Sequence, residues 1–373
     1  MASLCSLRMV AGICLLAALV RANAQDASRK SDEWTANAQT TSENASPTRT
    51  TESYKKVGNR TIHKTTTQVL GPGGNYQPYS ETETETVQDD ANSSRSIVRS
   101  YSPGPSGEMR LVQVTEEKKQ QLASGDVSVV RTLSNPDEYG KFKVVQREVA
   151  QTKKSGPGSE ETQSTVYTAD GSGTLSATAK IRREKKAAAD GSVRTMQTTT
   201  APDLSGTWQV TERVQGTEKT DGQDRTTETV TLRPDYEGKF AEVSRTSSKE
   251  SQSGAQVSGT TQTFSPNVPG VSPDGRLHLV ERTTTVQKKK SGETTAEQQV
   301  ERRDPVDGNL KVMMTTSNRV ASKSSGAQAT TNISARGLDG DLSIVSSETK
   351  QTTEIPIQVQ MSPADQESAN PPK

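Results

Sequence analysis

The chain has 373 residues, of which 28% are hydrophobic and 3% aromatic, with a formal net charge of +1. Average globular domains are about 45–50% apolar, so a conventional enzyme core of this length is excluded, and near-neutral charge points away from nucleic acid. Removal of an N-terminal leader lowers the apolar share further, to roughly 25%.

That leader is the first element in the chain. Arg8, the apolar run Met9 to Val20 and Arg21-Ala22-Asn23-Ala24 have the layout of an export signal with cleavage after Ala24. The two cysteines, Cys5 and Cys14, both fall inside it, so the mature chain is expected to have no disulfide and no thiol chemistry. No later segment is apolar for long enough to cross a membrane as a helix. The expected location is therefore the periplasm, the cell surface or the extracellular space. Residues 25–57, rich in Ser and Thr, read as a disordered linker.

From residue 58 to 356 one pattern recurs. It is a Pro/Asp turn, a glycine, any residue and then a large apolar residue, as in Pro136-Asp137-Glu138-Tyr139-Gly140-Lys141-Phe142 and Pro202-Asp203-Leu204-Ser205-Gly206-Thr207-Trp208. The glycines are Gly74, Gly107, Gly140, Gly173, Gly206, Gly238, Gly275, Gly308 and Gly340, about 33 residues apart, with one longer interval around Pro269-Gly270. Half a period later comes a second turn rich in Lys, Ser and Gly. The intervening segments are rich in Thr and Val and alternate in period two near the glycine, pairing Phe142 with Val144 and Trp208 with Val210 on one face. Each repeat thus predicts one β-hairpin.

The expected fold is all-β: about nine hairpins in an antiparallel meander, forming an extended or rolled single sheet with a narrow apolar stripe. A propeller blade needs about 40–45 residues, more than this period. An outer-membrane barrel needs a lipid-facing apolar band, whereas the strand centres here are Thr, Gln, Lys and Glu on both faces. Residues 357–373 read as a disordered tail.

Turn position assigns chemistry to two opposite margins of such a sheet. One collects aromatic residues beside acidic turns, and Tyr139, Phe142, Trp208, Tyr236 and Phe240 are its candidate partner-binding residues. Their other reading is a mini-core of stacked cross-strand pairs. The opposite margin carries Lys153, Lys154, Lys185, Lys186, Lys288, Lys289 and Lys290, a candidate ladder for polyanions or otherwise solvated turn ends.

Catalytic, cofactor and metal sites are not expected. The histidines, His63 and His278, lie far apart in the sequence, and G-x-S-x-G, H-E-x-x-H and P-loop patterns do not occur. Function is expected to be structural or adhesive, with a glycan or another envelope or surface protein as partner. The alternatives are a fibre former assembling through edge strands and a secreted polysaccharide-active enzyme, for which only plentiful carboxylates speak.

Overall fold

The computed structural model describes residues 33–42, 48–266, 275–304, 306–323, 326–337 and 339–358. The expected leader, most of the expected tail and the Pro269-Gly270 insertion lie outside these residues. Twenty strands follow one another. They begin with β1 (Glu33–Ser42), β2 (Thr48–Val57), β3 (Arg60–Leu70), β4 (Tyr76–Gln88), β5 (Ser93–Pro103), β6 (Met109–Gln121) and β7 (Val127–Pro136). Next come β8 (Phe142–Gly156), β9 (Ser159–Ala169), β10 (Leu175–Ala187), β11 (Val193–Pro202), β12 (Trp208–Asp221), β13 (Asp224–Pro234) and β14 (Phe240–Ser253). The last six are β15 (Gln256–Ser265), β16 (His278–Lys290), β17 (Glu293–Arg303), β18 (Leu310–Lys323), β19 (Gly326–Arg336) and β20 (Leu342–Gln358).

All pairings are antiparallel between chain neighbours, as an all-β meander requires, with one addition. β1 pairs with β20 as well as with β2, Thr40 facing both Thr352 and Thr50. The sheet therefore closes on itself and has no free edge. One sequence expectation is corrected by this: residues 33–42 and 48–57 are not a linker, because they supply β1 and β2. Of the extended and rolled forms expected for the sheet, it takes the rolled one.

The repeated turn explains the hairpins. In the Asp203 turn the Thr207 carbonyl accepts from Asp203 N at 2.9 Å, and the Asp203 carbonyl accepts from Gly206 N at 2.9 Å. Asp203 Oδ1 also accepts from Ser205 N at 2.8 Å and from Thr207 N at 3.0 Å. Asp137 and Asp170 repeat the arrangement. Gly206 closes the loop at a φ of +82°, in the left-handed region where glycine has no Cβ penalty.

Period-two alternation breaks at a fixed place after each such turn. An extra residue stands opposite a single step of the preceding strand at Tyr79, Val112, Val145, Thr178, Thr211, Val243, Val280, Met313 and Val345. These are β-bulges, each three residues beyond the large apolar residue. They place Trp208 and Val210 on one face but Glu212 and Val214 on the other. Leu310 and Val312 likewise share a face, and Met314, past its bulge, lies on the other.

Following paired residues once round the wall returns to β1 about 22 residues along its length. For twenty strands, that stagger gives a tilt of about 40° and a backbone diameter of about 37 Å. Strands make substantial contacts only with their chain neighbours and across the β1–β20 seam. Nothing among the described residues fills the interior.

Gly206→Ala is expected to cost about 1–2 kcal/mol, because the space around the position is open and only the positive φ opposes a Cβ. Gly171→Ala, also facing open space but in ordinary backbone conformation, is expected to stay within about 0.5 kcal/mol or gain slightly. Denaturant midpoints of the two variants check this, and equal losses would contradict the turn geometry.

Candidate functional site: the barrel wall and its bore

The paired registers divide wall residues into two faces. Every buried strand residue, from Tyr54, Ser164 and Thr283 to Val300, Val320, Ala327 and Ala329, belongs to the same one. On a closed cylinder the concave side crowds its side chains, so this face lines the bore. With side chains added on both sides, about 25 Å of open width remains.

The bore is lined mainly by short polar side chains, which hydrogen-bond across strands. Thr50 meets Thr67 at 3.3 Å, Thr152 meets Thr162 at 2.8 Å, and Thr261 donates to Ser248 at 3.1 Å. Several of its charges are paired. Arg131 reaches Glu117 at 2.5 Å and Glu148 at 3.6 Å, Arg225 reaches Glu218 at 2.9 Å, and Arg302 reaches Glu281 at 2.9 Å. A shallow hollow of about 200 Å³ lies on this face, lined by Arg131, Glu148, Ser164, Ile181 and Arg183 among others. Near the lysine-bearing rim, the Tyr54 ring stacks on His63 with centroids 4.1 Å apart, and Tyr54 Oη donates to Glu52 at 3.0 Å. Residue 54 falls in the stretch read as linker, so this cluster had no sequence signal. Among the described residues, no group of His, Cys, Asp or Glu is placed to hold a metal ion.

The outer face is charged at mid-height. Lys64 meets Glu81 at 2.8 Å, Arg99 meets Glu83 at 2.9 Å and Glu85 at 3.1 Å, and Arg182 meets Glu161 at 2.9 Å. Such a belt is unlike the apolar band that faces lipid in membrane barrels.

The two predicted margins are the two rims of the cylinder. Trp208 and Phe240 start their strands on the outer face, half-buried beneath cations. Lys180 Nζ is 4.3 Å from the Trp208 ring centroid, and the Arg213 guanidinium is 4.2 Å from that of Phe240. Phe142 occupies the equivalent place on β8. Tyr139 and Tyr236, by contrast, stand in the turns, 80% and 97% exposed. The five therefore do not form one surface. The lysine ladder is divided as well: Lys153, Lys186, Lys288 and Lys290 lie on the outer face, and Lys154, Lys185 and Lys289 on the bore side.

At the opposite rim the turn carboxyls are held below the usual Asp range. Hydrogen bonds from the Ser205 hydroxyl and from the Thr207 and Ser205 backbone do this for Asp203. At Asp170 the donors are the Ser172 hydroxyl and the Thr174 backbone, and at Asp137 chiefly the Lys141 backbone. A carboxyl lowered in the folded state stabilises it above the unfolded value of about 3.9, and this is lost as pH falls through the folded value.

No family model matches the chain, and no curated protein is similar to it. Among solved structures, the copper transporter OprC is 7% identical at a TM-score of 0.48, covering 87% of this chain and 81% of that one. The outer membrane protein OpdK of Pseudomonas aeruginosa is 7% identical at 0.42, covering 87% and 98%. A mutant porin of Rh. blastica is 7% identical at 0.39, covering 87% and 99%. The expected structural or adhesive role, and its fibre-forming alternative, are corrected. Both needed an extended sheet or free edge strands, and the β1–β20 pairing removes them.

Asp203→Asn keeps an acceptor in the turn but removes the charge. It is expected to lower stability at neutral pH and to flatten its decline below about pH 4. Urea midpoints between pH 2.5 and 7 check this, and parallel curves for the two proteins would contradict it.

Proposed function

We propose that this chain is a non-enzymatic, water-filled conduit for small hydrophilic solutes in the cell envelope. The observation that carries the reading is closure around an unfilled polar bore. A bore of about 25 Å is wider than most metabolites, and barrels of 16–18 strands already leave an aqueous channel. Paired charges and short hydroxyl side chains keep its wall wettable without binding any one solute tightly. The charged outer face favours a setting in an aqueous or polymer-filled layer of the envelope over hydrocarbon.

The test uses a cysteine-free background, because the chain's cysteines fall in residues 1–24. Thr261→Cys places a thiol in the bore, and Thr260→Cys places one at the same height outside. A small maleimide should label both, while a polymer-linked maleimide wider than the bore should label Thr261→Cys at least tenfold more slowly. In cells producing the protein, a bulky adduct on Thr261→Cys should reduce entry of a small hydrophilic dye to background, and the same adduct on Thr260→Cys should not. Equal labelling by the large reagent overturns the bore. Dye entry unaffected by the adduct overturns the conduit.

A further inference from the structure

The outer wall is not charged evenly. On the even-numbered strands from β8 to β16, one cation recurs at one height: Arg147, Lys180, Arg213, Arg245 and Arg282. The registers join them across the odd strands, Arg213 facing Thr198 and Leu232, Arg245 facing Val230 and Phe264, and Arg282 facing Gln262 and Glu301. Nearer the lysine-bearing rim a second arc follows on the same face, formed by Lys153, Lys186, Lys219, Lys249 and Lys288. Neighbours within an arc are about 12 Å apart round the wall, and the arcs differ in height by about 15 Å.

Several acidic residues on this part of the wall are already engaged, although Glu297 on β17 and Asp221 at the end of β12 form no ion pair among the described residues. Glu161 pairs with Arg182, Glu184 with Arg182 and Lys186, Glu228 and Glu242 with Arg245, and Glu301 with Arg282. No carboxylate among the described residues forms an ion pair with Arg147, Lys180, Arg213, Lys219 or Lys288, Lys153 stands opposite Glu161 but beyond ion-pair distance, and all six are exposed. On other parts of the outer wall some cations have close carboxylate partners, as Lys64 and Arg99 do, whereas Arg49 and Arg95 stand singly and form no recurring arc.

We propose that the outer wall from β8 to β17 docks a linear anionic polysaccharide across these two arcs. The spacing selects this partner over a lipid surface. The headgroup layer of one bilayer leaflet is about 5–8 Å thick, so a single lipid plane cannot meet arcs about 15 Å apart in height. A flexible chain carrying repeated anions can cross both. Unmatched cations on such a wall bind by releasing the polymer's counterions, so the affinity depends strongly on salt. The proposal is independent of what passes through the bore.

The test measures binding of the mature protein to heparin as the anionic probe, with neutral dextran and phosphatidylglycerol vesicles as the other arms. Heparin should bind, and its affinity should fall at least tenfold between 50 and 200 mM salt. A triple change of Lys153→Gln, Lys219→Gln and Lys288→Gln should weaken binding at least tenfold. Arg147→Gln, Lys180→Gln and Arg213→Gln together should do the same in the other arc, with circular dichroism confirming that each variant is folded. The matched control is Lys154→Gln, Lys185→Gln and Lys289→Gln, which removes as many charges from the bore side of the same rim and should change affinity less than twofold. An equal loss in the control overturns the proposal in favour of bulk charge. Vesicle binding without heparin binding overturns it in favour of a lipid surface.

Discussion

A single-layer wall of this length depends on how sharply each strand turns from its neighbour, and the recurrent bulge sets that. One extra residue on the strand leaving each Pro/Asp turn increases the local right-handed twist and bends the strand. A flat meander would present two unpaired edges. Bent at the same place in every hairpin, it curls, and the stagger of about 22 residues over twenty strands brings β20 alongside β1. The bulge also moves side chains between faces. The large apolar residue near the rim is directed outward, and residues beyond the bulge reverse their facing.

With no second layer to pack against, the wall is held by its hydrogen-bonded ladders and by many small cross-strand interactions. Hydroxyl pairs such as Thr152 with Thr162, ion pairs such as Arg131 with Glu117, and cations over rings each contribute about 0.2–1 kcal/mol. Where the anchor is leucine and offers no ring, arginine takes another role. Arg303 donates to the Leu279 and Gly308 carbonyls at 2.9 and 2.7 Å, tying the turn end to the neighbouring strand. Arg336 makes the equivalent pair of bonds to Val312 and Gly340. Closure matters more than any one of these interactions, because it removes the frayed edges at which such a sheet would begin to open.

Hairpins and rims were legible in the sequence because glycine at positive φ and its Asp partner are demanded by local backbone geometry. Gly140, Gly206 and Gly238 announce their turns without reference to anything distant. The first hairpin lacks that mark, and β1 and β2 were therefore read as linker. Closure was hidden for another reason. Polarity of the strands was weighed against a lipid-facing barrel, whereas closure follows from twist and register, which do not depend on lipid. A sign was present in the recurrent apolar or β-branched residue three places after each anchor, Val112, Val145 and Val243 among them, breaking the alternation. The candidate lysines share one rim, but adjacent ones such as Lys153 and Lys154 necessarily lie on opposite faces of a strand, which a ladder read from turn position alone does not distinguish.

That parity also limits how such a repeat can change. The interval from Gly238 to Gly275 is longer than the others, yet Thr263 and Val280 keep the bulge register of the remaining repeats. The strands on either side, β15 ending at Ser265 and β16 beginning at His278, are of ordinary length. One extra residue inside a strand would exchange bore and outer faces for every residue after it, placing Lys288 in the lumen and Gln287 outside, and would disturb pairing with both neighbours. A closed wall has no edge at which such a shift can be discharged, so length variation is confined to turns. Within the wall, character changes by substitution alone. This is how the even strands from β8 to β16 can accumulate cations on one face while the opposite face of the same strands carries the ion-paired Glu148, Glu212, Glu218 and Glu281.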